Sequence, residues 1–157
     1  MKKLLAFIAA VLFTVGVLTG CGHSSSTAQV NKTPVAANKT STTVVVEASG
    51  HYTDKDHVAM YIHQFKKLPP NYITKNEAKK LGWKEEGTLD KVAPGKSIGG
   101  DHFGNFEHMV PDKQGRSWKE CDIDYVKGNR GAKRIVFSND GLVYYSASHY
   151  RDFVKLY

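Results

Sequence analysis

Cysteine is scarce in this chain, with only Cys21 and Cys121 among 157 residues. So few exclude a disulfide framework, and the fold must be held by a hydrophobic core. Histidine is not arranged for a metal either: His102 and His108 stand six apart with no further ligand near them in sequence, so no zinc site is expected. No internal repeat is visible, which excludes a solenoid. The apolar run from Leu4 to Val17 is too short for an ordinary membrane span. Acids are also in deficit, 15 against 22 basic residues, for a net charge of +7. Such an excess attracts polyanions, but a solvated surface explains it equally and it does not define a chemistry.

The first 21 residues read as an export signal. Lys2 and Lys3 form a basic start, the apolar run follows, and Leu18-Thr19-Gly20-Cys21 resembles the lipobox of bacterial lipoproteins. That resemblance implies cleavage before Cys21, lipid on its sulfur and attachment to the outer face of the cell membrane. A plain secretory signal is the alternative, and both readings export the protein. Residues 22–50 are rich in Ser, Thr, Ala, Asn and Lys, a composition that buries too little surface to offset chain entropy. They read as a flexible tether spanning roughly 30 Å. Val44-Val45-Val46 is its one apolar patch, with a short strand as the other reading. The folded domain is expected over 51–157.

Within it, Val58, Tyr61, Ile62 and Phe65 recur at helical spacing and predict a helix from Thr53 to Leu68, capped by Thr53 or Asp54 and ended by Pro69-Pro70. Thr74-Lys75-Asn76-Glu77 is a capping box that opens a second helix to Leu81, with Gly82 as its stop. Lys75 sits in the first turn, where the helix dipole disfavours a cation. Either an anion occupies that site at work or the lysine is simply solvated. Thr88 to Val92 reads as one more helical turn. The segment Ala93 to Asp101 leads into a strand, and His102 to Lys113 reads as a loop. Its Gly104-Asn105 backbone and Glu107 could read the edge of a guanine, and they equally suit an ordinary loop.

Three further strands follow. Ser117 to Tyr125 alternates, sending Trp118, Glu120 and Asp122 one way and Cys121, Ile123 and Tyr125 the other. Cys121 is thereby a buried structural thiol. Lys133 to Ser138 and Leu142 to Ser146 pair through Ser138-Asn139-Asp140-Gly141, a tight hairpin whose residues tolerate positive φ. Such a sheet can hold Glu120, Arg130, Arg134 and His149 over one patch, although each could be ordinary surface.

The runs LPPNYITK, EAKKLGW, VAPGKSIGGD and GRSWKE, with Asp122, Ile123 and Tyr125 after them and His149-Tyr150 near the end, resemble the guanyl-preferring bacterial ribonucleases. The similarity covers nearly all of 51–157. It implies an α+β fold, with N-terminal helices packed on an antiparallel five-stranded sheet. It implies Glu120 as general base and His149 as general acid, with Lys75, Arg130 and Arg134 binding phosphate. It further implies Tyr150 lining the substrate site, Asp101 supporting it, and Phe103, Gly104, Asn105, Phe106 and Glu107 forming the base-recognition loop. The substrate would be single-stranded RNA, cut 3′ of guanosine through a 2′,3′-cyclic phosphate. Since the ribose 2′-OH is the nucleophile, DNA would resist and neither metal nor cofactor would be needed. A monomer is expected. Phe106 departs from the pattern, because relatives commonly carry arginine there. Its loss removes a cation beside the substrate and puts in question any acidic protein inhibitor of the barstar kind. Two rival readings keep the fold: a catalytically weak RNA-binding surface lipoprotein, and an intercellular toxin paired with an immunity protein.

Overall fold

A computed structural model describes residues 43–157 apart from Glu86. The expected export signal, Cys21 and most of the expected tether lie outside these residues. The last part of the tether reading does not hold. Val46 is only 6 % exposed, and the Tyr61 hydroxyl donates to the Ala48 carbonyl at 2.6 Å. The folded unit therefore begins ahead of His51, because Val46 docks its side chain while Val45 stays exposed.

Helix α1 spans Lys55–Phe65. Of the two expected caps Asp54 serves, its carboxylate accepting from the His57 amide at 3.1 Å. Val58, Ala59, Tyr61 and Ile62 form the buried face. The helix stops at Phe65 rather than Leu68, since Lys66 turns left-handed at φ 57° and its N–H closes on the Ile62 carbonyl. Strand β1 is Tyr72–Ile73, followed by helix α2 at Lys75–Lys80 with both hydrogen bonds of its capping box. A 3-10 turn at Leu89–Lys91 matches the expected helical turn.

Strands β2 (Ser97–Phe103), β3 (Trp118–Asp122), β4 (Arg134–Ser138), β5 (Val143–Ser146) and β6 (Val154–Lys155) follow. All five are antiparallel neighbours in chain order, as the five-stranded expectation has it, and β1 adds a parallel sixth at the edge. β1 and β6 have two residues each, too few to carry a period-two pattern, so the fifth expected strand was not located in the sequence and β1 was not foreseen. His102 and Phe103, expected in a loop, continue β2 because they pair with Lys119 and Trp118.

Between Gly99 and Asp101 the β2–β3 register slips. Gly100 takes the bulge at φ 98°, and a Cβ on Gly99 would stand 2.5 Å from that of Cys121. Only glycine fits there. The bulge turns Asp101 to lie opposite Glu120. The expected alternation of β3 holds: Cys121 joins Val58, Ile62 and Ile135 under α1, while Trp118 packs with Val136 on the other face. It fails at Tyr125, which belongs to a second core with Ala78 and Trp83. The strand ends at Asp122, and Asp124 then breaks the period at φ 60°.

A domain begun at His51 is expected to melt below one begun at Thr43. It loses Val46 from the interior, and the Tyr61 hydroxyl loses its acceptor, together costing about 1–3 kcal/mol. Thermal denaturation of the two proteins checks this, and equal melting temperatures would overturn it.

Candidate active site

Glu120 lies at the middle of β3, between Asp101 on β2 and Val136 on β4. It is 7 % exposed, an unusual place for a carboxylate without partners. It has two. The Lys75 ammonium donates to Oε1 at 2.8 Å, and the Tyr150 hydroxyl donates to Oε2. Burial pushes the Glu120 carboxyl up, but the hydrogen bonds from Lys75 and Tyr150 and the charges of Lys75 and Arg134 outweigh it. The carboxyl is held below its ordinary value. Tyr150 shows the reverse effect, with burial and the Glu120 carboxylate pushing its phenol up.

Lys75 is the first residue of α2, and its backbone N–H donates to Asp101 Oδ2 at 2.9 Å. The lysine is paired, and the anion at the start of the helix belongs to the protein itself. Asp101 takes a first-turn amide while Glu120 takes the side chain, which offsets the cost of a cation at that end.

Asp122 follows Glu120 on the same face, buried at 2 % exposure. Arg130 grips it bidentately, Nε to Oδ2 at 2.6 Å and Nη2 to Oδ1 at 2.8 Å. Arg134 Nε stands 3.1 Å from Oδ1, too far off line for a hydrogen bond, while its Nη1 donates to the Gly131 and Lys133 carbonyls. One carboxylate therefore orients both arginines. The side chain was not expected among the site residues. The signal was an acid two residues from Glu120 with two arginines just downstream.

His149 and Tyr150 are consecutive residues in left-handed backbone, at φ 57° and 70°. Tyr150 reaches Glu120, its ring lies 5.2 Å from that of Phe103, and Arg134 stacks over it at 6.0 Å. His149 is exposed, and its ring makes no hydrogen bond among the described residues. It lines a pocket of about 330 Å³ with Phe103, Gly104, Phe106 and Glu107. Phe106 is 91 % exposed with its ring against Gly104, where a Cβ would meet it at 2.3 Å. Asn105 also borders this pocket, but its side chain turns back to donate to the Val110 carbonyl at 2.8 Å. Met109 and Arg151 line it too and were not expected. Among the described residues no group of His, Cys, Asp and Glu is arranged for a metal ion. A carboxylate held ionised by a lysine and a tyrosine, an exposed imidazole on the residue before that tyrosine, and two arginines on the next acid of the strand suit proton transfer at an anionic group.

A family model described as ribonuclease matches residues 55–157. The chain is 44 % identical to a ribonuclease of Bacillus pumilus, covering 96 % of this chain and 93 % of that protein. It is 43 % identical to one of Bacillus intermedius over the same shares. With a ribonuclease of Heyndrickxia coagulans the identity is 51 %, over 64 % of this chain and 94 % of the relative.

In Lys75→Met the burial of Glu120 persists while its principal counter-charge goes. The carboxyl should then titrate higher than in the unaltered protein, which a carbon-13 NMR titration of Glu120 reads. The linkage has one sign. A depressed carboxyl contributes stability above the ordinary glutamate range, lost as pH falls through the lowered value, so this variant should lose less of its stability on acidification. An unmoved Glu120 titration would overturn this account of the site.

Proposed function

Because the chain belongs to the ribonuclease family, we propose that it is an exported endoribonuclease cutting single-stranded RNA 3′ of guanosine by transphosphorylation. The observation that carries the mechanism is a buried carboxylate kept ionised by Lys75 and Tyr150, with the ring of an exposed histidine 4.8 Å from that of Tyr150.

Glu120 takes the proton of the ribose 2′-OH as that oxygen attacks the adjacent phosphorus. Each carboxylate oxygen keeps a lone pair beyond the one engaged by Lys75 or Tyr150. The bond from phosphorus to the 5′-oxygen breaks, and protonated His149 supplies the departing oxygen with its proton. A 2′,3′-cyclic phosphate remains. In the second step His149 takes a proton from water, the hydroxide opens the ring, and Glu120 returns its proton to the 2′-oxygen. Arg130, Arg134 and Lys75 are aimed before substrate arrives, so they stabilise the phosphoryl charge without reorganising. The lowered Glu120 carboxyl makes a weaker base but an ionised one across the working range. Lys75, Tyr150 and Arg134, acting against burial, thus trade basicity for readiness.

The base would enter the pocket bounded by Phe103 and Met109. Glu107, at its edge, is of the right type to accept from the N1 and N2 donors of guanine. No step draws on a metal.

An RNA oligonucleotide holding one guanosine should be cut after it, at the same rate with EDTA. Glu120→Ala and His149→Ala should each lose about 10²- to 10⁴-fold in kcat. The kcat/KM profile should be bell-shaped, with its acid limb below the ordinary glutamate range and shifted upward in Lys75→Met. Absence of cleavage at the guanosine would sink the specificity, and full activity in His149→Ala the mechanism.

The lipobox-like Leu18-Thr19-Gly20-Cys21 and the basic start support a place on the outer face of the membrane. Cys21→Ser should move the protein from the membrane fraction to the medium. An unchanged distribution would leave a plain secretory signal.

A further inference from the structure

The pocket loop is built on strained backbone. Asn105 and His108 both occupy the left-handed region, at φ 45° and 52°, without being glycine. Such residues persist only where their surroundings over-determine them. One carboxylate serves both. Asp112 Oδ1 accepts from Asn105 Nδ2 at 2.7 Å, and Oδ2 meets His108 Nδ1. These two hydrogen bonds hold the Asp112 carboxyl below the usual carboxylate range. Both Asn105 donors are then used, since its other N–H donates to the Val110 carbonyl, and its oxygen accepts from the Val110 amide at 3.1 Å. Val110 is buried with Trp118 and Val136, so the clamp is tied to the core. From the other side Arg116 donates to the Pro111 carbonyl at 2.7 Å and forks onto Asp140 in the β4–β5 turn.

The residues between the clamped points, Phe106, Glu107 and Met109, line the pocket, whereas His108 and Asp112 do not. Asn105 itself borders the pocket, so the loop is braced beside the ligand space by a carboxylate, Asp112, that does not line it. We propose that Asp112 is a positioning residue for base recognition, holding Asn105 and His108 so that the loop presents the pocket edge already formed. This rests on the guanosine-selective reading above. A loop that must order itself on binding charges that cost to affinity for the recognised base and leaves the reacting groups on the sheet untouched.

The test is Asp112→Ala, assayed on two dinucleotide substrates that differ only in a guanine or adenine 5′ to the cut. The kcat/KM for the guanine substrate should fall about tenfold, mainly through KM, with kcat and the adenine substrate within about twofold, because one charge-assisted hydrogen bond and its neighbour are lost. Asp112→Asn keeps an acceptor for Asn105 and should restore most of the loss. His108→Ala, at an exposed side chain, should show a smaller fall of the same sign, and it serves if Asp112→Ala does not fold. A lower melting temperature with an unchanged guanine-to-adenine ratio would overturn the proposal. So would an equal fall in kcat on both substrates. An unaltered protein without preference between the two bases would instead refute the guanosine reading itself, and this proposal with it.

Discussion

Everything at this site depends on keeping one buried carboxylate charged. Moving Glu120 out of water favours its neutral form, and an isolated buried carboxylate would simply take up a proton. Lys75 and Tyr150 prevent this by claiming one oxygen each. Neither partner comes from the strand that carries Glu120: Lys75 opens a helix upstream, and Tyr150 sits in the turn after β5. The charge state of one side chain is therefore a property of the assembled fold. Helix α2, the β2 bulge and the turn after β5 must all be in place before the site is ionised in the required form.

The same logic repeats one step along the strand, with the balance reversed. Asp122 is more deeply buried than Glu120 and is bound to Arg130 on both oxygens. Removing either partner of a buried pair is costly because the other charge is stranded. Asp122 is well placed to aim the arginines and, buried at 2 % exposure against two guanidinium groups, poorly placed to accept a proton from substrate. Two acids on one face of one strand thus take different roles from their neighbours: Glu120 has a lysine and a tyrosine hydroxyl as partners, and the more deeply buried Asp122 lies against two arginines.

How much of this was legible in the chain follows from length and locality. β3 is long enough for its period to show, so the opposed directions of Glu120 and Cys121 could be read from residue order alone. β1 and β6 have two residues each and exist only because a neighbouring strand offers them hydrogen bonds. The docking of Val46 was hidden for a related reason, since its polar surroundings resemble a tether until Tyr61 supplies a contact. Lys75 showed its misfit with the helix dipole but not which anion resolves it, because Glu120 lies 45 residues away. The Gly104-Asn105 backbone was read as pocket equipment, and Asn105 borders the pocket. That its side chain also braces the loop only the positions of Val110 and Asp112 could reveal.

The turn after β5 shows why the fold accepts unfavourable backbone where it does. His149 and Tyr150 in left-handed conformation together cost on the order of 2–4 kcal/mol relative to ordinary geometry. The surroundings hold them there. The His149 amide donates to the Ala132 carbonyl at 3.0 Å, and the Tyr150 amide to the hydroxyl of fully buried Ser146 at 2.9 Å. Ser146 is itself fixed, donating to Asp152 at 3.0 Å. In a regular strand adjacent side chains point to opposite faces, so one of this pair would be lost to the site. Here both reach it: Tyr150 bonds Glu120 while His149 borders the pocket, their rings 4.8 Å apart. Relaxing this turn would remove a donor from Glu120 and displace the histidine in the same movement. The strain is what couples the two proton-handling groups.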